Sequence, residues 1–503
     1  MVTKIKIDPI TRIEGHLAIE AVVDDGLVKE ATSAGTLFRG FEIILRDRDP
    51  RDANRLTQRI CGVCPTAHAT ASALCLDDAF GLTNKIPDNA KLIRNLIFGS
   101  NFLQSHILHF YHLAALDYVD AVGVLGDLAP FVPRYEGDYR VTGQKNAELV
   151  NHYVRALDIR RKCQEMLAIF GGKMRHNVGI VPGGITEKLT EDKVTNFLWR
   201  LNEIRDFIDN VYIPDVIAVA KAYSDYFEIG RGCQRMLAYG GFDLPPRLLG
   251  EDKSGGQLFK SGVVSPDLQP EEFASENITE DVKHSWYTDS SSGKNPAQGE
   301  TKPDLKKKQA YSFIKSPRYE GKVCELGPLA RMVNNYIQGD AKVKKLVDSV
   351  LGEFNTGVNT LFSVLGRHAA RALESKLVAD AMVDWLTSLK PVEPTIVDSQ
   401  IPEQGEGAGL TEAPRGAVGH WITVKDKKID RYQVITPTAW NASPKDDKDQ
   451  PGAVEQALIG TKVRDKDNPF ELVRIVRAFD PCLACSVHLL DAGGSELGVF
   501  RVV

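Results

Sequence analysis

No stretch of this 503-residue chain stays apolar and uncharged for the roughly 18 residues that a membrane-crossing helix needs, so no direct membrane span is expected. The N-terminus, Met1-Val-Thr-Lys-Ile-Lys-Ile-Asp-Pro9, also lacks the apolar core of a secretory leader. Charge of one sign is missing: 62 Lys and Arg stand against 67 Asp and Glu, a net −5. That balance gives no electrostatic basis for binding nucleic acid or an anionic lipid surface. Cysteine is scarce, eight in all, far too few for a disulfide-stapled scaffold. No repeat recurs at a solenoid period. What is present is a chain 43% hydrophobic, long enough to bury a large core. It reads as soluble, reaching any membrane or outer compartment only through a partner.

Strand signals lie near the two ends. Apolar residues alternate over Leu17–Val23, followed by Asp24-Asp25-Gly26, which predicts a hairpin. Val418–Val424 and Ile429–Ile435 predict a second, across Lys425–Lys428. Between them the spacing is helical: Asn89 to about Leu116, and Ala147 to Phe170 with a stop at Gly171-Gly172. A third helix runs from Asp192 to about Tyr212, where Pro214 should kink or end it, with a continuation to Phe227. Asp340–Leu389 is helical with breaks near Gly357 and Gly366. The expected fold is α+β and predominantly helical, a central long-helix bundle with small β-sheets near the N- and C-terminal segments. Its expected divisions are an N-terminal sheet and first cysteine pair (1–85), a helical core (86–249) and a Ser-, Gly- and Lys-rich surface excursion (250–315). A continued helical core (316–400), a hairpin with the second cysteine pair (401–488) and an extension (489–503) follow.

Four cysteines form two pairs at opposite ends, Arg59-Ile-Cys61-Gly-Val-Cys64-Pro-Thr-Ala-His68 and Asp480-Pro-Cys482-Leu-Ala-Cys485-Ser-Val-His488. Brought together, they would make one four-thiolate metal site. Soft thiolates take zinc, copper(I), nickel or iron, and spacing does not choose among them. A structural zinc staple is the plain alternative, although zinc ribbons keep their pairs close in sequence. The remaining cysteines, Cys75, Cys163, Cys233 and Cys324, are isolated, with no spacing that holds an iron–sulfur cluster. From the residues alone, Glu14 reads as a partner of neighbouring Arg12, and Glu42 as an ion pair with Arg39 or Arg46. Asp480 reads as a group orienting backbone or Arg415. His106, His109 and His112, at i, i+3 and i+6, read as packing and hydrogen-bonding residues rather than ligands.

The paired motifs resemble those of the nickel–iron hydrogenase large subunit. Other segments agree in order: Asp8-Pro-Ile-Thr-Arg-Ile-Glu14-Gly-His16, Phe38-Arg-Gly-Phe-Glu42, His109-Phe-Tyr-His112, Val181-Pro-Gly-Gly184 and Pro317-Arg-Tyr-Glu-Gly321. So do Gly327-Pro-Leu-Ala-Arg331, Glu412-Ala-Pro-Arg415-Gly and Trp440-Asn-Ala-Ser-Pro444. The resemblance implies heterolytic, reversible cleavage of H2, with uptake as the expected direction. Cys61 and Cys482 would be terminal ligands of nickel, and Cys64 and Cys485 would bridge nickel to an iron carrying CO and CN. Cys482 or Arg415 would take the proton and Glu14 would relay it. Thr438 would face a cyanide, and His68 would hydrogen-bond toward a bridging sulfur. Glu42, the Val434 carbonyl and His488 would hold Mg2+. An iron–sulfur small subunit would carry electrons away, and a maturation endopeptidase would remove 489–503. The location implied is cytoplasmic, or exported and membrane-associated through the small subunit. Two departures touch the site's tuning: Ser105 stands where relatives often carry an acid, and Arg175 where they often carry proline. Rival readings are a regulatory H2 sensor, a zinc-stapled non-redox protein, and a relative of the quinone-site subunit of complex I, which shares the fold but lacks the four cysteines.

Overall fold

Both hairpins turn through residues in the left-handed region. The computed structural model describes residues 2–126, 137–249 and 256–486, the side chains of 485 and 486 excepted. In it, strand Leu17–Asp24 returns as Leu27–Gly35 through Asp25 and Gly26, with φ of 51° and 71°. Positive φ at both central positions matches the twist of the strands they join. Thr3–Ile7 adds a third antiparallel strand, with Ile7 opposite Ile19. Near the other end, Gln404–Ala413, Gly416–Lys425 and Lys428–Ile435 form a second meander, turning at Asp426 and Lys427 with φ of 52° and 60°.

Between the sheets stand four long helices, Asp88–Leu108, Gly143–Gly171, Glu191–Phe207 and Val364–Thr387, each packed on two of the others to close a bundle. Gly172, at φ 80°, ends the second as expected. Glu191–Phe207 passes through a wide turn at Ile208–Tyr212 into a separate helix, Ile213–Ala222, with Pro214 in the first turn of the second, where no N–H is required. One expectation needs correction: Gly366 is no break. It lies in the first turn of Val364–Thr387, where Ser363 Oγ accepts its N–H at 3.0 Å.

The stretch 250–315 is only partly a solvated excursion. Gln257–Phe259, Gly262–Val264 and Ile278–Asp281 are short paired strands, and Ile278, Val282, Ser285, Ser312 and Ile314 are buried. Its hydroxyls replace water inside: Ser285 Oγ donates to Ile314 O at 2.6 Å and Tyr287 OH to Phe313 O at 2.8 Å. Polar composition therefore conceals a packed segment. A different economy brings the late sheet onto the early helix Pro65–Ala79. Alternate residues Gly405, Gly407 and Gly409 face that helix, and a Cβ at the last two would lie 2.3 Å from Cys75 O and 2.0 Å from Ala71 O. Only glycine permits so close an approach.

Asp117 ties the first residues to the last helix. Its carboxylate pairs with Arg12 and, at 2.5 Å, with Arg477 of helix Phe470–Ala478. Arg477 also donates to Thr11 O at 3.0 Å and Thr11 Oγ1 at 2.9 Å. Burial alone would push the Asp117 carboxyl up, but Arg12, Arg477 and Arg474 hold it at about 2. Its folded value lies below its ordinary one, so its contribution to stability is complete above pH ~4 and is lost as pH falls through about 2. Asp117→Asn should cost about 3–5 kcal/mol at pH 7, since buried cations lose their partner. The difference from the wild type should shrink as pH falls toward 2, which urea melts at pH 7 and pH 3 would measure.

Candidate metal centre

Cys61 follows the short turn Thr57–Ile60 in extended conformation, and Cys64 occupies the N-cap of helix Pro65–Ala79. The N–H groups of Val63 and Cys64 point at Cys61 Sγ from 3.3 and 3.4 Å. A helix N-terminus thus lies beside both sulfurs. Cys482 arrives from the other end of the chain. Asp480, at φ 56°, turns the backbone out of helix Phe470–Ala478, and the strand-like stretch that follows runs parallel to Glu14. Leu483 N–H donates to Glu14 O at 2.8 Å. Gly15, at φ 81°, makes room, because a Cβ there would stand 2.6 Å from Leu483 Cβ.

Cys61 Sγ and Cys482 Sγ are 3.2 Å apart, and the sulfurs of Cys61, Cys64 and Cys482 all lie within 4.8 Å of one another, buried. A disulfide requires about 2.05 Å, whereas two thiolates each about 2.3 Å from a shared ion can stand this far apart. Three soft donors from opposite ends of the sequence therefore fit a thiolate-bound metal. Cys485's side chain and His488 lie outside the described residues. Arg39 binds the two segments together, donating to the carbonyls of Ile60 and, at 3.1 Å, Ala484. It is not an ion-pair partner of Glu42.

Glu14 does not pair with Arg12, which is held by Asp117. Its Oε2 accepts from Ala484 N–H at 2.7 Å and lies 3.3 Å from Cys482 Sγ. Burial, and next the charge of Cys61, push its carboxyl up, so it can hold and release a proton beside the sulfur. Arg415 is buried, with Nε donating to Asp480 O at 3.0 Å, Nη2 paired to Asp480 Oδ1 at 2.9 Å and Nη1 donating to Ser105 Oγ at 3.2 Å. Burial opposes its charge, but Asp480 and the three cysteines more than compensate, and the guanidinium stays protonated. Thr438 Oγ1 accepts the N–H of Cys482 at 3.0 Å, fixing the backbone at that cysteine.

A family model described as nickel-dependent hydrogenase matches residues 39–127 and 121–488, and one described as HoxL-like matches 4–34. The chain belongs to the nickel-dependent hydrogenases. It is 46% identical to the periplasmic [NiFeSe] hydrogenase large subunit of Desulfomicrobium baculatum, over 99% of this chain and 97% of that one. Against the uptake hydrogenase large subunit of Bradyrhizobium diazoefficiens the identity is 37%, with the same coverages. The as-isolated, oxidised Ni-Fe-Se hydrogenase from D. vulgaris Hildenborough superposes with a TM-score of 0.90 at 46% identity, over 97% of this chain and 100% of that one. This is a hydrogenase large subunit, an oxidoreductase acting on H2, and its family carries a Ni–Fe centre. Selenium appears in several relatives' names, while all four motif positions in this hydrogenase are cysteine.

Around the hydrogenase's sulfurs, other buried groups have settled roles. His68 Nδ1 meets His420 Nε2 at 3.1 Å, and His420 Nδ1 meets Tyr432 OH at 2.8 Å. Burial drives His68 down to about 4, so this imidazole pair is neutral. His420 and Tyr432 escaped the sequence reading; the available signal was a polar ring at an inward position on each of two adjacent, mostly apolar strands. Glu42 accepts from Val434 N–H at 2.8 Å and from Thr301, in a cavity it shares with Glu280 and Lys315. His106 pairs with Glu374 at 2.9 Å, His109 with Arg477 O at 2.7 Å and His112 with Tyr153 O at 3.2 Å. Arg175 lies beside Gly62, which is exposed: a Cβ on Gly62 would stand 3.6 Å from its Nη1. No described helix is long and apolar enough to cross a membrane.

Proposed function

We propose that this large subunit cleaves H2 heterolytically, in the uptake direction, at a Ni–Fe centre held by Cys61, Cys64, Cys482 and Cys485. Cys61 and Cys482 would hold nickel, and Cys64 and Cys485 would hold both nickel and an iron carrying CO and CN. The observation that carries the reading is the meeting of Cys61, Cys64 and Cys482 inside the fold, with a carboxylate 3.3 Å from Cys482 Sγ. When bound, nickel and iron supply the Lewis acidity and the electron acceptor that splitting H2 requires. The chain's own residues handle the proton. Cys482 sulfur accepts it, and Glu14 Oε2 takes it from the sulfur and passes it outward, its acidity already moved toward that task by burial. Arg415 stays charged and stands near all three sulfurs, oriented by Asp480, where it stabilises negative charge developing at the site. Thr438 Oγ1 holds the Cys482 backbone and would offer its proton to a cyanide of the bound centre, while His68 would hydrogen-bond toward a sulfur shared by the two metals.

Glu42, the Val434 carbonyl and His488 would hold Mg2+, a hard cation that suits oxygen donors and retained water. The name large subunit implies a smaller partner; we assign that partner the iron–sulfur clusters and the exit of electrons near exposed Gly62. An endopeptidase removes 489–503 once nickel is in place. Infrared spectra of matured protein should show metal-bound CO and CN bands, with nickel and iron both present on elemental analysis. Zinc alone, with a blank spectrum, would overturn the assignment.

A further inference from the structure

Helix Pro328–Ile337 opens on Gly327-Pro-Leu-Ala-Arg331, a conspicuous motif to which the chemistry above gives no task. Arg331 is completely buried, and each of its five N–H groups has its own acceptor. Nε donates to Glu374 Oε1, and Nη2 donates to Glu374 Oε2 at 2.8 Å and to Pro414 O at 2.9 Å. Nη1 donates to Glu412 Oε2 at 2.6 Å and to Ala413 O at 2.9 Å. Two of the five acceptors are thus the consecutive carbonyls immediately before Arg415.

The far side of the same guanidinium leads back to Arg415 by a second route. Glu374 Oε2 meets His106 Nε2 at 2.9 Å, and His106 follows Ser105, whose hydroxyl accepts from Arg415 Nη1 at 3.2 Å. The contacts close a ring from Arg331 through Glu374, His106, Ser105, Arg415 and Pro414 to Arg331 again. Backbones press together at the same place. Gly327 and Gly416 both have φ 130°; a Cβ on the first would stand 3.2 Å from Arg415 O, and one on the second 2.8 Å from Gly327 N.

We propose that Arg331 is a positioning residue that fixes where the Arg415 guanidinium stands over the sulfurs, and so governs H2 turnover without touching the metals. The proposal rests on the role given to Arg415 above. Lysine can keep the charge but cannot reproduce a planar fork reaching two carboxylates and two carbonyls. With Arg331→Lys the turn 413–415 loses hydrogen bonds on consecutive carbonyls, and Arg415 shifts. Misplacing a reacting-centre group by about 1 Å can cost as much as 10²-fold in rate.

The test uses matured enzyme with its small subunit: wild type, Arg331→Lys, Arg415→Lys and the double variant, each assayed as turnover per bound nickel. Arg331→Lys should lower turnover by about tenfold or more, displace the CO and CN infrared bands, and leave nickel content unchanged. In the Arg415→Lys background it should add little, because the group it positions has gone. Multiplicative losses in the double variant, or a lower melting temperature with turnover per nickel and bands unmoved, would reduce Arg331 to structural support. Unchanged turnover in Arg415→Lys alone would instead refute the role of Arg415. If Arg331→Lys does not accumulate, Glu412→Gln decides: it disturbs one of the five contacts and should give a smaller loss with the same non-additivity, and no loss would overturn the proposal.

Discussion

Cys482→Ala should yield a folded large subunit that retains no nickel and turns over no H2. The physical asymmetry is large. Cys482 is fully buried, yet alanine removes only one sulfur atom, a packing loss of about 1 kcal/mol that a chain of this size absorbs. At the centre the same atom is a proposed nickel ligand 3.2 Å from Cys61 Sγ and the proton acceptor beside Glu14. Its loss opens the coordination shell and severs the proton route together. Cys75→Ala is the proper control, because Cys75 is equally buried but its Sγ donates to Gly407 O at 3.3 Å, away from the other thiols. Both variants should melt within a few degrees of the wild type, with nickel lost only from the first. Elemental analysis after desalting reads the difference, and wild-type nickel in Cys482→Ala would remove that residue from the ligand set.

How much of this was visible beforehand differs between fold and site, for physical reasons. Helices with a strict apolar period and a glycine stop, such as Gly143–Gly171, announce themselves because periodicity and capping are local. The meeting of Cys61 with Cys482 was legible only as a motif pair, since the parallel contact of Glu14 with Cys482 joins distant segments by backbone hydrogen bonds that leave no local trace. Partner choice was hardest. Arg12 beside Glu14 suggested an ion pair, but its left-handed φ of 55° sends it to Asp117 instead. Arg39 likewise serves the carbonyls that flank both cysteine segments, not Glu42. Composition misled in 250–315, where Ser and Tyr hydroxyls satisfy a buried backbone. The alternating glycines 405–409 were a readable sign of close packing that the hairpin reading passed over.

Glu14→Gln should lower H2 turnover per nickel by about 10²–10⁴-fold with metals and stability intact, the range expected when one positioned proton-transfer group is lost. Glutamine is nearly isosteric, and its amide oxygen can still accept the Ala484 N–H that now reaches Oε2 at 2.7 Å. What it cannot do is take a proton from the Cys482 sulfur 3.3 Å away and pass it on. A structural role for Glu14, by contrast, would be preserved by glutamine and show no kinetic loss. Exchange of H2 with D2O isolates the step, because it needs the proton to leave but needs no external electron acceptor. Exchange and dye-linked oxidation should fall together in Glu14→Gln, while nickel content and the infrared bands stay near those of the wild type. Full exchange activity in that variant would place the proton exit elsewhere and leave Glu14 only the task of holding Ala484.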